Sequence, residues 1–276
     1  MNFFKSLVIL FTLMVSSVLA QTETNVDLEA LDAYYAQMVK DWDIPSASIG
    51  IVKDGELIFT GNYGLLEVGK PEKPNQHTLY AIASNSKAFT SAIIGMLVQE
   101  GKLDWDDKVQ KYLPYFAVYD DWVSEHTTIR DLLSHRIGLG TFSGDNIWYK
   151  SDQSAEEIIK HIKYVPQAYE FRAGYGYSNL MYVTAGEIIR KITGKTWGEN
   201  VTERILIPLN MNRSIYSLKD LDKKGNYATP HMRKDDQNIA IDWVDWEEVA
   251  ATGGLISSIT DVSKWMIFNM NHGIHE

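Results

Sequence analysis

Ser84-Asn85-Ser86-Lys87 heads the run Ala88-Phe89-Thr90-Ser91-Ala92-Ile93-Ile94-Gly95-Met96-Leu97-Val98. Phe89, Ala92, Ile93, Met96 and Leu97 recur at i, i+3, i+4, i+7 and i+8, the stripe of a helix facing a core. Ile94 and Val98 are apolar on the other side, so the predicted helix is buried nearly all round, and Gly101 is placed to end it. Residues three apart share a helix face, which puts the amine of Lys87 beside the hydroxyl of Ser84. A serine hydroxyl is a weak nucleophile until a base takes its proton. At the first turn of a helix, unpaired N–H groups and the positive helix end favour the anion formed when serine attacks a carbonyl. Four residues thus supply a nucleophile, a base and part of an oxyanion site. A Ser-x-x-Lys also arises about once by chance in a chain this long, so its company decides.

That company is Tyr177-Ser178-Asn179, the only Tyr-x-Asn in the chain. It follows the glycine- and aromatic-rich Phe171-Arg172-Ala173-Gly174-Tyr175-Gly176 and precedes an apolar helix. With these two motifs the chain resembles the serine β-lactamase and penicillin-binding protein superfamily, in its class C β-lactamase-like branch. Leu132-Leu133-Ser134-His135-Arg136-Ile137-Gly138-Leu139 is similar to the family's Leu-Leu-x-His-x-Ser-Gly-Leu, with Ile137 in place of serine. Ala251-Thr252-Gly253-Gly254-Leu255-Ile256-Ser257 is similar to its Ala-Gly-Gly-Leu-x-Ser. The resemblance runs from about Asp27 onward and implies roles. Ser84 is the acylated nucleophile, Lys87 and Tyr177 share the proton relay, and Asn179 hydrogen-bonds Lys87 and the substrate's amide.

The family carries a third motif, Lys-Thr-Gly or His-x-Gly, on a strand well beyond the Gly-Gly-Leu segment. Nothing up to Glu276 matches it, and His272-Gly273 differs in position and form. The expected fold is α+β, β-lactamase/transpeptidase-like: a large helical lobe on an antiparallel sheet whose C-terminal strands are missing. The expected chain is therefore C-terminally incomplete, with open strand edges. It would be either a fragment or a short product.

Composition narrows the function classes. The chain has 26 basic and 36 acidic residues, a net charge of −10, which argues against nucleic acid and anionic membranes as partners. It has no cysteine, so disulfides, thiol catalysis and cysteine-ligated metals are excluded. The seven histidines form no His-Glu-x-x-His or His-x-His pair, and neither metal nor cofactor is assigned. Met1-Asn2-Phe3-Phe4-Lys5, the apolar run Leu7–Val15 and Val18-Leu19-Ala20 read as a secretory signal peptide cut after Ala20, with an uncleaved anchor as the rival. One domain then covers residues 21–276, periplasmic or secreted, with no stable membrane span.

Elsewhere, helical spacing predicts a helix from Asp27 to Lys40. Asp54-Gly55 predicts a hairpin between Ser46–Lys53 and Glu56–Thr60. Thr128 is placed to cap a helix through Leu133, Ser154 a helix over Ile158–Ile162, and Thr260 a last helix through Met270. Asn179–Ile192 reads as a helix closed by Gly194. Trp243 and Trp246 are read as packing or as the lining of a substrate groove. Glu67 and Asp145 lie in no motif and receive no catalytic role.

Three functions remain open. The first is an exported serine hydrolase acting through an acyl-enzyme on a β-lactam, D-amino-acid peptide or ester, with peptidoglycan-derived peptides among the candidates. The second is an impaired peptide-binding homologue. The third is a non-functional truncated product.

Overall fold

The computed structural model describes residues 26–275; the expected leader Met1–Ala20 lies outside the described residues. The chain divides into two compact units, one ending at Met38 and one running from Val39. Most of helix α1, Leu28–Asp41, belongs to the first.

The second unit opens with β1, Ser46–Lys53, paired antiparallel with β2, Glu56–Gly64. Asp54 and Gly55 join them with φ of 53° and 82°. Positive φ at both positions is what a two-residue hairpin turn matching the strand twist requires. The chain then passes through β3, Tyr80–Ala81, and a 3-10 turn, Ala83–Asn85, directly into α2, Ser86–Gln99. Phe89, Ile93, Ile94 and Leu97 of α2 are all buried in the main core.

Helix α3, Ile129–Leu133, starts on a reciprocal cap between Thr128 and Asp131, and α4, Ala155–His161, on one between Ser154 and Glu157. Helix α5, Asn179–Thr193, is buried from Asn179 through Ile189, and Gly194 closes it in the left-handed conformation. It packs against α2 and against α6, Ala250–Gly253. A Cβ at Gly186 would stand 2.6 Å from the Ala251 methyl, so glycine lets α5 and α6 approach this closely.

Strand β4, His231–Lys234, pairs with β5, Gln237–Ala240, while β6, Ile256–Ser257, pairs with β3. Among the described residues the six strands form three two-stranded antiparallel sheets. Helix α7, Ile259–Met270, lies on β1, where a Cβ at Gly50 would come within 2.8 Å of Ile259. The cap of α7 is Ser258, whose hydroxyl accepts from the Asp261 N–H, and not Thr260. Thr260 instead donates to the Gln76 carbonyl at 2.8 Å. The architecture is α+β, with the helical core holding the ends of β3, α2, α5 and α6 together.

Candidate active site

Ser84 lies in the 3-10 turn just ahead of α2, not inside the α-helix itself. The turn runs straight into α2, so Ser84 and Lys87, three residues apart, share one face across the junction. Ala83 holds φ at +46°, a left-handed conformation costly for an L-residue with a Cβ. The bend persists because neighbours over-determine it. The Ser86 hydroxyl donates to the Ala83 carbonyl at 2.7 Å and accepts from the Leu255 N–H at 3.0 Å. Ile82 N–H also donates to the Leu255 carbonyl at 3.0 Å. The Gly-Gly-Leu segment therefore braces the turn, and Ser84 itself faces solvent.

Two groups meet the hydroxyl of Ser84. The Tyr177 hydroxyl donates to Ser84 Oγ at 2.7 Å, and Lys87 Nζ reaches the same atom at 3.3 Å. Lys87 Nζ also donates to Asn179 Oδ1 at 2.7 Å and to the Thr252 carbonyl at 2.6 Å. It stands 4.9 Å from the Tyr177 ring centre. Lys87 is buried, only 6% exposed. Burial pulls its amine down from 10.5 to about 8, against the opposing charge of Asp145. A neutral amine has two N–H donors and one lone pair. Asn179 and Thr252 accept the two hydrogens, which leaves the lone pair for the Ser84 proton.

Asn179 is the first residue of α5, and its side chain caps nothing. Its Oδ1 serves Lys87 while its Nδ2 donates to Asp145 Oδ2 at 2.8 Å. Asp145 Oδ1 accepts from Trp148 Nε1 at 2.9 Å. Asp145, which lies in no motif, orients the Asn179 amide and places a negative charge near Lys87. Thr252, whose carbonyl completes the Lys87 shell, was missed as well because a backbone acceptor leaves no mark in a motif. The structure thus brings together Ser84, Lys87, Tyr177 and Asn179, and adds Asp145, Thr252 and His135 around them.

His135 seats the tyrosine. Its ring stacks on Tyr177 with centres 4.7 Å apart, and its Nδ1 accepts from the Ser178 N–H at 3.1 Å. Burial and the charge of Lys87 lower its pKa from 6.5 to about 4. Between those values the unfolded chain binds a proton that the folded chain refuses, so stability falls as pH drops through that window. We expect His135→Asn, which retains an acceptor, to flatten this part of a urea-denaturation series against pH. An unchanged slope would remove His135 as its source.

Gly176, next to the tyrosine, tolerates nothing larger. A Cβ there would sit 1.8 Å from the Leu139 carbonyl oxygen, a clash between two backbone segments. Gly176→Ala is expected to cost on the order of 3 kcal/mol or to displace Tyr177. Thermal unfolding checks the first outcome, and rate measurement the second.

A cavity of about 170 Å³ adjoins the turn, lined by Ala83, Tyr216, Leu218, Trp243, Trp246 and Gly253 among others. Glycine at 253 is required, since a Cβ would meet the Trp246 ring at 2.7 Å. The indole Nε1 of Trp243 is buried and has no hydrogen-bond partner among the described residues. Among the described residues no three acidic, histidine or cysteine side chains converge to hold a metal ion.

The chain is similar to several known proteins. An unguisins hydrolase of Aspergillus campestris is 31% identical over 267 residues, which is 90% of this chain and 48% of that protein. The octameric penicillin-binding protein homologue from Pyrococcus abyssi superposes with a TM-score of 0.81 at 25% identity, over 90% of this chain and 57% of that one. The D-amino acid amidase from Ochrobactrum anthropi superposes with a TM-score of 0.75 at 25% identity, over 91% of this chain and 72% of that one. The chain thus spans about half the length of the curated relatives it matches. The Beta-lactamase family profile matches residues 31–275, and the chain belongs to that family, with the β-lactamase/transpeptidase-like fold.

Proposed function

We propose that the protein is an exported serine hydrolase that acylates Ser84 with the acyl group of an amide or ester. One observation carries this reading: Ser84 Oγ lies 2.7 Å from the Tyr177 hydroxyl and 3.3 Å from Lys87 Nζ, at a solvent-facing turn. In the first step neutral Lys87 takes the Ser84 proton as Oγ bonds to the substrate carbonyl carbon. The Tyr177 hydroxyl passes a proton to the leaving amine or alcohol and recovers one from Lys87, so the relay ends neutral. Water then attacks the ester carbon on Ser84 and gives a proton to the same relay, which returns it to Ser84 Oγ as the C–Oγ bond breaks and the acid leaves. The second Asn179 Nδ2 hydrogen, beside the one given to Asp145, is the proposed donor to the substrate's amide.

The cavity beside Ala83 is the proposed seat of an apolar acyl side chain. A dry apolar cavity of roughly 150 Å³ holds a benzene ring, so a phenyl-sized group fits. Relatives include the D-amino acid amidase, whose structures hold phenylalanine or its amide. Export rests on the signal-peptide pattern of Met1–Ala20; among the described residues no helix is long and apolar enough to cross a membrane.

The test is incubation with a fluorescent penicillin and a fluorophosphonate probe, followed by acetyl and phenylacetyl nitrophenyl esters. Labelling at Ser84 with faster turnover of the phenylacetyl ester is the expected result. Absence of labelling by either probe, with tight binding of D-amino-acid peptides, would favour a peptide-binding homologue.

A further inference from the structure

Helix α3 buries a carboxylate that serves more than its cap. Asp131 is wholly buried, and its Oδ2 already accepts from the Thr128 N–H at 3.0 Å and the Thr128 hydroxyl at 2.7 Å. Two guanidinium groups from different loops converge on the same carboxylate. Arg136 Nε donates to Oδ1 at 2.6 Å. Arg172 forks across both oxygens, with Nε on Oδ1 at 3.0 Å and Nη2 on Oδ2 at 2.6 Å. Arg172 Nη2 also donates to the His126 carbonyl at 3.1 Å. Burial alone would raise the Asp131 carboxyl; hydrogen bonds from Arg172, Thr128 and Arg136 outweigh it and hold its pKa at about 2.

The two arginines belong to the two backbone segments that form the seat of Tyr177. Those segments are joined by Arg172 N–H to the Arg136 carbonyl and by Gly176 N–H to the His135 carbonyl, both at 2.9 Å. Tyr169 Oη adds a bond to the His135 carbonyl at 3.0 Å. Arg172 itself holds φ at +63°, where glycine is the unstrained residue. A long cationic side chain at a glycine-like backbone position needs a compensating interaction, and the fork onto a buried carboxylate supplies one.

We propose that Arg172 is a positioning residue, which through Asp131 holds the Tyr177 hydroxyl over Ser84. The proposal rests on the hydrolase reading for its kinetic consequence only. The staple ties the start of the tyrosine loop to α3, and the His135 contacts tie its end. Without it, only four residues, Ala173 to Gly176, lie between the released end and the residue that carries the reacting hydroxyl. A hydroxyl displaced by about 1 Å costs on the order of a hundredfold in rate when positioning carries catalysis.

Arg172→Gly tests this with the least damage, because glycine accepts the backbone conformation and the loss is confined to the guanidinium, with its fork on Asp131, its bond to the His126 carbonyl and its contact with the Phe171 ring. We expect kcat for a nitrophenyl ester to fall by ~10-fold or more with KM within about twofold. Added ethylguanidinium should restore part of the loss, and Arg172→Lys, which keeps charge but not the fork, should fall between. In hydrogen exchange, the amides of Gly176 and Ser178 should open ~10-fold faster while those of α2 stay unchanged. Unaltered exchange at Gly176 and Ser178 overturns the proposal, as does a uniform acceleration across α2, which would make Arg172 a stability residue. If the parent protein turns over no ester, the hydrolase reading fails, and the exchange result alone decides the role of Arg172.

Discussion

Ser84→Ala is expected to abolish covalent labelling by both probes and to lower ester turnover by ~10³-fold or more. The substitution removes one oxygen and disturbs little else. Ser84 faces solvent, so no cavity forms, and the turn around it is held by Ser86, Ile82 and Leu255. The Tyr177 hydroxyl and Lys87 lose one common partner, while Lys87 keeps Asn179 and the Thr252 carbonyl. Loss of rate with an unchanged unfolding midpoint therefore reports chemistry and not folding. Retained labelling in the alanine variant, located by peptide mapping, would sink the assignment of Ser84 as nucleophile.

Lys87 carries the second large effect, and it has a pH signature. With its amine lowered to about 8, roughly a tenth of the molecules hold it neutral at pH 7. The acylation rate should therefore climb with pH and level off above about 8. Lys87→Ala is expected to slow acylation by ~10³-fold with a far smaller change in substrate binding, since its role lies in the transition state. Stability gives an independent check of the same group. The folded pKa lies below the unfolded 10.5, so between about 8 and 10.5 the unfolded chain binds more protons and folding gains stability as pH rises. The difference in stability between the parent and Lys87→Met should follow that trend. A rate profile flat from pH 6 to 9 would point to another base, with Tyr177 the next group to test by Tyr177→Phe.

The local elements of this fold are written in short-range chemistry, and that is why they are legible. The stripe from Phe89 to Leu97, the Asp54-Gly55 turn, the Thr128 and Ser154 caps and the Gly194 terminator each depend on residues within one or two turns of one another. All five appear where the spacing places them. The β4–β5 hairpin went unseen because its turn is Asp235-Asp236, which adopts φ of 49° and 59° without the glycine that usually marks such turns. The cap at Ser258 was misplaced by two residues because Thr260 finds its partner, Gln76, far away in the chain.

The active site shows the same division. Ser84 and Lys87 are legible because three residues along a turn suffice to pair them, and the Tyr177 motif is legible through family resemblance. Asp145 could not be read, since only the fold carries it to Asn179, and nothing local distinguishes it from any surface aspartate. The depressed amine of Lys87 was equally hidden. It follows from burial under α5 and α6, which assemble around the lysine from residues some ninety and one hundred and sixty-five positions away. The sequence by itself determined which groups are chemically able to meet at Ser84. The tertiary structure decided their protonation and aim, because desolvation and long-range hydrogen bonds exist only once distant segments have packed.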